Sequence, residues 1–372
     1  MKVTCSRAQL SEAFAIASTV VPPRTTIPAI TCVRLSASSG KSGGTLELAC
    51  TDLEHGLKYA LPASAVPEEG TLVLPAARMA AILREAADAE ITLQSDGFNA
   101  HLRMPDAMFR VVGLDPADFP EVPTFEEKEA VRVETADLGA MIRKTQFAVS
   151  TEVVRYALTG QLLEVKGREV RMVASDGKRL AYIRSRTAGR GEGAREVRVI
   201  VPTKTMNLLE KVLGEGDEQV AISVEETQVK LKTSRAMIWS RIIEGQFPDY
   251  EAVVPAGTDK KVVAGRLALQ AAVRKAALMT TDKARAVKFS LGREKLVLFT
   301  RVQDVGEVKV ELPVEYKGEE MDIVFNPEYV ADYLKVVEDE NVELHLKDKA
   351  SAAVFRSGKD YQYVLMPLSV SL

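Results

Sequence analysis

Apolar and polar positions alternate through Val154–Arg186, VRYALTGQLLEVKGREVRMVASDGKRLAYIRSR. A period of two rich in β-branched residues predicts strands at Gln161–Lys166, Glu169–Ala174 and Leu180–Arg184. Gly167-Arg168 and Ser175-Asp176-Gly177 supply the turns between them. Elsewhere the period lengthens to that of a helix. Leu72–Leu83, Val199–Leu209 and Ile323–Leu334 each read as a short apolar strand, then Pro or Asn-Pro at a helix start, then apolar residues four and seven positions on. A proline in the first turn gives up only an N–H that had no helical partner. Counted from Pro75, Pro202 and Asn326, the repeats are 127 and 124 residues apart, a domain-sized period.

A second helical pattern opens each third, at Arg7–Thr19, Ala136–Phe147 and Arg266–Leu278. Hairpin-like pairs follow the helices, such as Thr45–Thr51 with Gly56–Pro62 and Val220–Val224 with Gln228–Thr233. The thirds close alike, on Phe119-Pro120, Phe247-Pro248 and Met366-Pro367. Polar, turn-rich linkers fall at Glu121–Lys128 and Pro255–Lys260, and Thr187–Glu196 reads as a surface loop. The expectation is an α+β chain in which strands outnumber helices. Its domains run over residues 1–122, 128–255 and 259–372, each built from one unit used twice.

Composition narrows the function more than the fold. The 372 residues are 46% hydrophobic and 27% charged, ordinary for a globular chain of two or three domains. No apolar run approaches the ~20 residues of a membrane span. Met1-Lys2-Val3-Thr4 begins like a strand and not like a signal peptide. Cys5, Cys32 and Cys50 are odd in number and lack ligand spacing, which suits buried thiols of a reducing cytoplasm. The net charge is −3, yet the six helical windows carry 11 Lys/Arg against 7 Asp/Glu, leaving −7 for the rest. A shared helical face would therefore be basic on an acidic molecule, as suits a protein that surrounds a polyanion without gripping it.

The chemistry of catalysis is missing. There is no GxxxxGK[ST] phosphate loop, and Gly189-Arg-Gly191-Glu-Gly193 does not join a strand to a helix. His55, His101 and His345 stand alone, without metal spacing. No carboxylates form an acid/base pair, and Asp176 before Gly177 reads as a turn residue. No cofactor, no metal and no catalytic residue is expected.

Four fragments resemble the bacterial sliding clamp family, the β subunits of DNA polymerase III. They are Arg155-Tyr156-x-Leu158-x-Gly160, Ala174-x-Asp176-Gly177-x-Arg179-Leu180-Ala181, Glu244-Gly245-x-Phe247-Pro248-Asp249-Tyr250 and Tyr363-Val364-x-Met366-Pro367. The resemblance runs the whole length of the chain, in order and at the expected spacing. The resemblance implies a DNA-clamp fold of three repeated domains, each of two β-α-β-β-β units. Two chains would close head to tail into a ring with helices inside and sheets outside. Duplex DNA would be encircled without sequence specificity, and the protein would act as a cytoplasmic processivity factor. An ATP-dependent clamp loader, polymerase subunits and repair proteins would dock short hydrophobic motifs in one cleft.

Carried over by residue, the resemblance implies that the cleft is formed by Leu158, Ser175, Gly177, Lys178, Arg179, Leu180, Pro248, Val253, Val364, Met366, Pro367 and Leu368. It implies DNA contact by Arg24, Arg155, Tyr156, Lys204, Lys283 and Arg285. At the subunit junction it implies Ile82, Leu83, Phe109 and Val111 against Leu278 and Met279, with Arg103 and Arg110 opposite Asp304 and Glu307. The chain departs from the family pattern at Lys178, often His, at Ala157, often aromatic, and in its ending, Leu368-Ser-Val-Ser-Leu372. Two rivals remain at this stage. One is a monomeric adaptor using the same cleft. The other is an enzyme whose constellation is not visible in the sequence.

Overall fold

The computed structural model describes residues 1–370 apart from 41–42, 88, 105–106, 187–188, 191–195 and 215–217. Among them are six α-helices: α1 (Arg7–Ala17), α2 (Ala76–Glu85), α3 (Thr135–Thr145), α4 (Thr203–Val212), α5 (Arg266–Ala277) and α6 (Pro327–Val336). Antiparallel sheet makes up most of the rest, so the fold is α+β. With these observed ends the helices hold 11 basic and 6 acidic residues, and the basic excess stands.

Each helix follows directly on a strand. The strand Gly70–Pro75 runs into α2, and Val197–Pro202 runs into α4. Pro75 and Pro202 therefore end strands and sit just before the helix, outside its first turn. Only Pro327 occupies the first turn, where Asn326 caps α6 by accepting from the Glu328 N–H at 3.0 Å. The helices that open each third, α1, α3 and α5, end earlier than the apolar pattern suggests. Ser18 and Thr19 turn their hydroxyls back onto the carbonyls of Phe14 and Ile16, closing α1 at Ala17.

Main-chain pairing crosses the expected boundaries. In one nine-stranded sheet, Ala236–Arg241 pairs with His55–Ala63, and Trp239 stands opposite Gly56. A Cβ on Gly56 would come within 2.0 Å of the Trp239 ring, so the indole lies where only glycine leaves room. In an eight-stranded sheet, Arg179–Ser185 pairs with Tyr361–Leu365. Such pairing divides the chain into two compact units. One is drawn mainly from Met1–Ala136 and Lys204–Ile242, the other from Asp137–Ala188, Glu196–Thr203 and Ile243–Leu372.

In the first unit α1 packs on α2 over Leu10, Phe14, Met79 and Leu83. Its five-stranded sheet ends on Met108–Val111, which has one free edge. In the second unit α5 packs on α6, and a four-stranded sheet ends on the free edge of Gly306–Pro313. All three cysteines are free and buried. Burial pushes the Cys5 thiol up to about 12, which leaves it inert. Most of the Thr187–Glu196 stretch lies outside the described residues, but Gly189–Arg190 pairs with Val131 and Arg132 as a short strand and is no loop.

Candidate partner cleft

The cleft in the second unit begins with a turn. Between the strands Glu169–Ser175 and Arg179–Ser185, Asp176 accepts the N–H groups of Lys178 at 2.8 Å and Arg179 at 3.0 Å. The Ser175 hydroxyl accepts from Gly177 N at 3.1 Å and donates to the Arg179 carbonyl at 2.8 Å. Gly177 has φ +84°, and a Cβ there would lie 2.0 Å from Nη1 of Arg155. Glycine is required twice, for its backbone and for the approach of that guanidinium.

Beneath the turn, Leu158, Leu162, Val173, Leu180, Ile200, Ile243, Phe247, Tyr250, Val354 and Val364 form one buried cluster. Ten of the twelve expected cleft residues line a hollow of about 130 Å³ above it: Leu158, Ser175, Gly177, Lys178, Arg179, Leu180, Pro248, Val253, Val364 and Met366. Val253 and Met366 remain 44% and 46% exposed, so the mouth of the hollow is apolar and open. Pro367 and Leu368 do not line it. Leu368 donates its N–H to the Val324 carbonyl at 2.8 Å, which carries the chain onto the edge of Met321–Phe325.

Phe247 and Tyr250 line the hollow and were absent from the expected set. Both lie in the quoted EGQFPDY fragment, and that was the available signal. Tyr250 stacks on Tyr182 at 5.5 Å, donates to Glu164 at 2.6 Å and accepts from Arg171 at 3.2 Å. Burial, then the bond to Glu164, keep its hydroxyl protonated far above ordinary pH.

The expected DNA contacts divide by their partners. Arg24 and Lys283 are exposed, and Tyr156 is 58% exposed. Arg155 donates to the Asp176 carbonyl at 2.7 Å, and Arg285 bridges Asp282 and Glu328. Lys204 binds Asp52 at 2.6 Å, with the Val20 carbonyl at 3.4 Å. Asp52 also accepts the His55 backbone N–H at 2.6 Å, and its carboxylate lies 3.3 Å from the His55 ring.

Burial alone would push the Asp52 carboxyl up. Hydrogen bonds from His55 and Lys204 outweigh it and hold the group well below the usual carboxylate range. A depressed native value stabilises the fold above the unfolded value of ~3.9 and is lost as pH falls towards the native one. Asp52→Asn should therefore destabilise the chain by about 1–2 kcal/mol at pH 7. Thermal melts should show the gap narrowing below pH ~4; a gap independent of pH would contradict the charged role.

The residues expected at the subunit junction lie on separate elements. Ile82, Phe109, Arg110 and Val111 line a groove of about 730 Å³ beside the free edge Met108–Val111. Leu83 does not belong there. It is 0% exposed in its own core, whereas Ile82 beside it keeps 8% exposure and reaches the groove. Arg103 is exposed at the end of Asn99–Arg103. In the other unit Leu278 is 77% exposed just past α5, and Met279 is half-buried beside Gly306. Asp304 occupies the turn before Gly306–Pro313 at φ +67°, and Glu307 lies 3.8 Å from Arg301 of its own chain.

Sequence profiles of the N-terminal, central and C-terminal domains of the DNA polymerase III beta subunit match residues 1–123, 132–249 and 251–369. The chain belongs to this family of beta sliding clamps. It is 30% identical to the beta sliding clamp of Escherichia coli strain K12 over 371 residues, 99% of this chain and all of the relative. The clamp of Pseudomonas putida KT2440 is 31% identical over the same span. A crystal structure of the Pseudomonas aeruginosa clamp bound to griselimycin superposes with a TM-score of 0.92 at 30% identity. The Bacillus subtilis clamp gives 0.90 at 26%, and both comparisons cover 100% of each chain. As a sliding clamp the protein is a replication processivity factor without catalysis of its own.

Proposed function

We propose that this clamp encircles duplex DNA as a head-to-tail homodimer and tethers the replicative polymerase and other replication and repair proteins through the apolar cleft. The cleft carries the reading: an open apolar hollow with a Met at its rim adapts to varied short hydrophobic segments. Tethering raises the effective concentration of a polymerase at its template without any chemical step. An ATP-dependent loader would use the same cleft. The three repeats, 1–122, 128–255 and 259–372, would form the domains of each half ring. The basic excess of the six helices supports an inner surface facing phosphate. Contact there would begin at Arg24, Lys283 and Tyr156. Arg155, Lys204 and Arg285 would have to share existing partners. Their contacts would be to phosphate, without sequence preference.

The groove at Ile82 and Phe109 beside one free edge, and Leu278 beside the other, favour pairing between the first unit of one copy and the second unit of another. The place of work would be the cytoplasm; among the described residues no helix is long and apolar enough to cross a membrane.

Retention on DNA tests encirclement. Clamp loaded on a nicked circular plasmid should stay bound through gel filtration at high salt and be lost once the plasmid is cut. Electrostatic binding would instead fail with salt on circle and line alike, and that result would overturn the ring.

A further inference from the structure

Arg179 lines the cleft, yet its guanidinium is committed elsewhere. Nε donates to Asp176 at 3.0 Å, Nη1 to Asp332 at 2.9 Å and Nη2 to the Phe147 carbonyl at 2.6 Å. Its plane lies 4.2 Å from the centre of the Tyr329 ring and 5.5 Å from that of Phe147. The side chain is 10% exposed. A guanidinium whose three nitrogens each donate to an oxygen of its own chain has little left for a partner peptide.

The same bonds have a mechanical consequence. Asp332 and Tyr329 belong to α6, and Phe147 to the short helix Gln146–Ala148, so one side chain joins the 176–178 turn to two separate elements. Asp176 in turn holds the N–H groups of Lys178 and Arg179. Lys178 passes the constraint on, because its carbonyl accepts the Met366 N–H at 3.0 Å. The wall of the cleft and its methionine rim are therefore fixed through Arg179.

We propose that Arg179 is a positioning residue for partner binding, and that Asp332, which does not line the cleft, sets partner affinity through it. Preorganised walls raise affinity because the ordering cost is met before the ligand arrives. The proposal rests on the cleft reading above and adds a residue of α6 to it.

The test uses the full chain and a fluorescein-labelled pentapeptide carrying two leucines and a phenylalanine, read by anisotropy. Asp332→Asn should weaken binding about fivefold to tenfold, within the range of coupled contacts. Asp332→Glu, which keeps the carboxylate, should restore most of the loss. Arg179→Met should weaken binding at least as much, and adding Asp332→Asn to it should cost little more. Hydrogen exchange should quicken at residues 175–180 while the two large sheets keep their rates.

Wild-type affinity in Asp332→Asn beside a loss in Arg179→Met would make Arg179 a direct peptide contact and overturn the proposal. Exchange that quickens throughout the chain would reduce the effect to lost stability and overturn it equally. A peptide that ignores Met366→Asp would contradict the cleft reading itself, a result distinct from either.

Discussion

Met366→Asp should abolish binding of a hydrophobic partner peptide, lowering affinity by ~100-fold or more, and leave the fold intact. Met366 lines the hollow with Leu158, Leu180, Val253 and Val364, whose side chains offer a carboxylate no hydrogen bond. Ser175 and Arg179 donate to oxygens of their own chain, and Lys178 is exposed at the rim. A peptide closing over that surface would strip water from an unpaired charge, at a cost of several kcal/mol. In the free chain the side chain is 46% exposed and its backbone N–H is held by Lys178, so the carboxylate stays solvated and the strand stays in place. Anisotropy titration with an unchanged melting temperature is the expected result. Unchanged affinity would remove the cleft from the account.

Phe109→Asp together with Arg110→Asp should yield single chains that cannot be retained on circular DNA. Both residues line the groove beside the Met108–Val111 edge, where main-chain groups are free to pair. Two charges at the centre of such a contact oppose burial, while on a free edge they remain in water. A stable contact must bury more than ~1,000 Å², and its apolar centre carries most of the affinity. Light scattering should report about one chain mass, and peptide binding should persist because the cleft lies wholly in the other unit. An unaltered mass would place the junction elsewhere.

What could be read from the sequence follows the range of the forces involved. Hairpins such as Gly43–Thr51 with His55–Ala63 declare themselves through alternation and turn residues, both local. Helix starts were legible for the same reason, whereas the end of α1 was overrun because Ser18 and Thr19 continue the pattern while capping it. The cleft came from resemblance and not from composition. Phe247 and Tyr250, 7% and 5% exposed, look like any core aromatics until Leu158 and Val364 are beside them. Leu83 is 0% exposed and does not line the groove, because how deeply each apolar residue of α2 is packed depends on neighbours from α1 that no local pattern shows. The partners of Lys204 and Arg179 lie 152 and 153 residues away, beyond any local pattern. The strand pairs that bind one third to the next are equally long-range.

Small-angle scattering with an independent solution mass tests the central claim most directly. Two chains around a central hole is the predicted result. A compact particle of one chain, persisting at high concentration, would contradict encirclement and leave a monomeric adaptor that recruits partners through the same cleft.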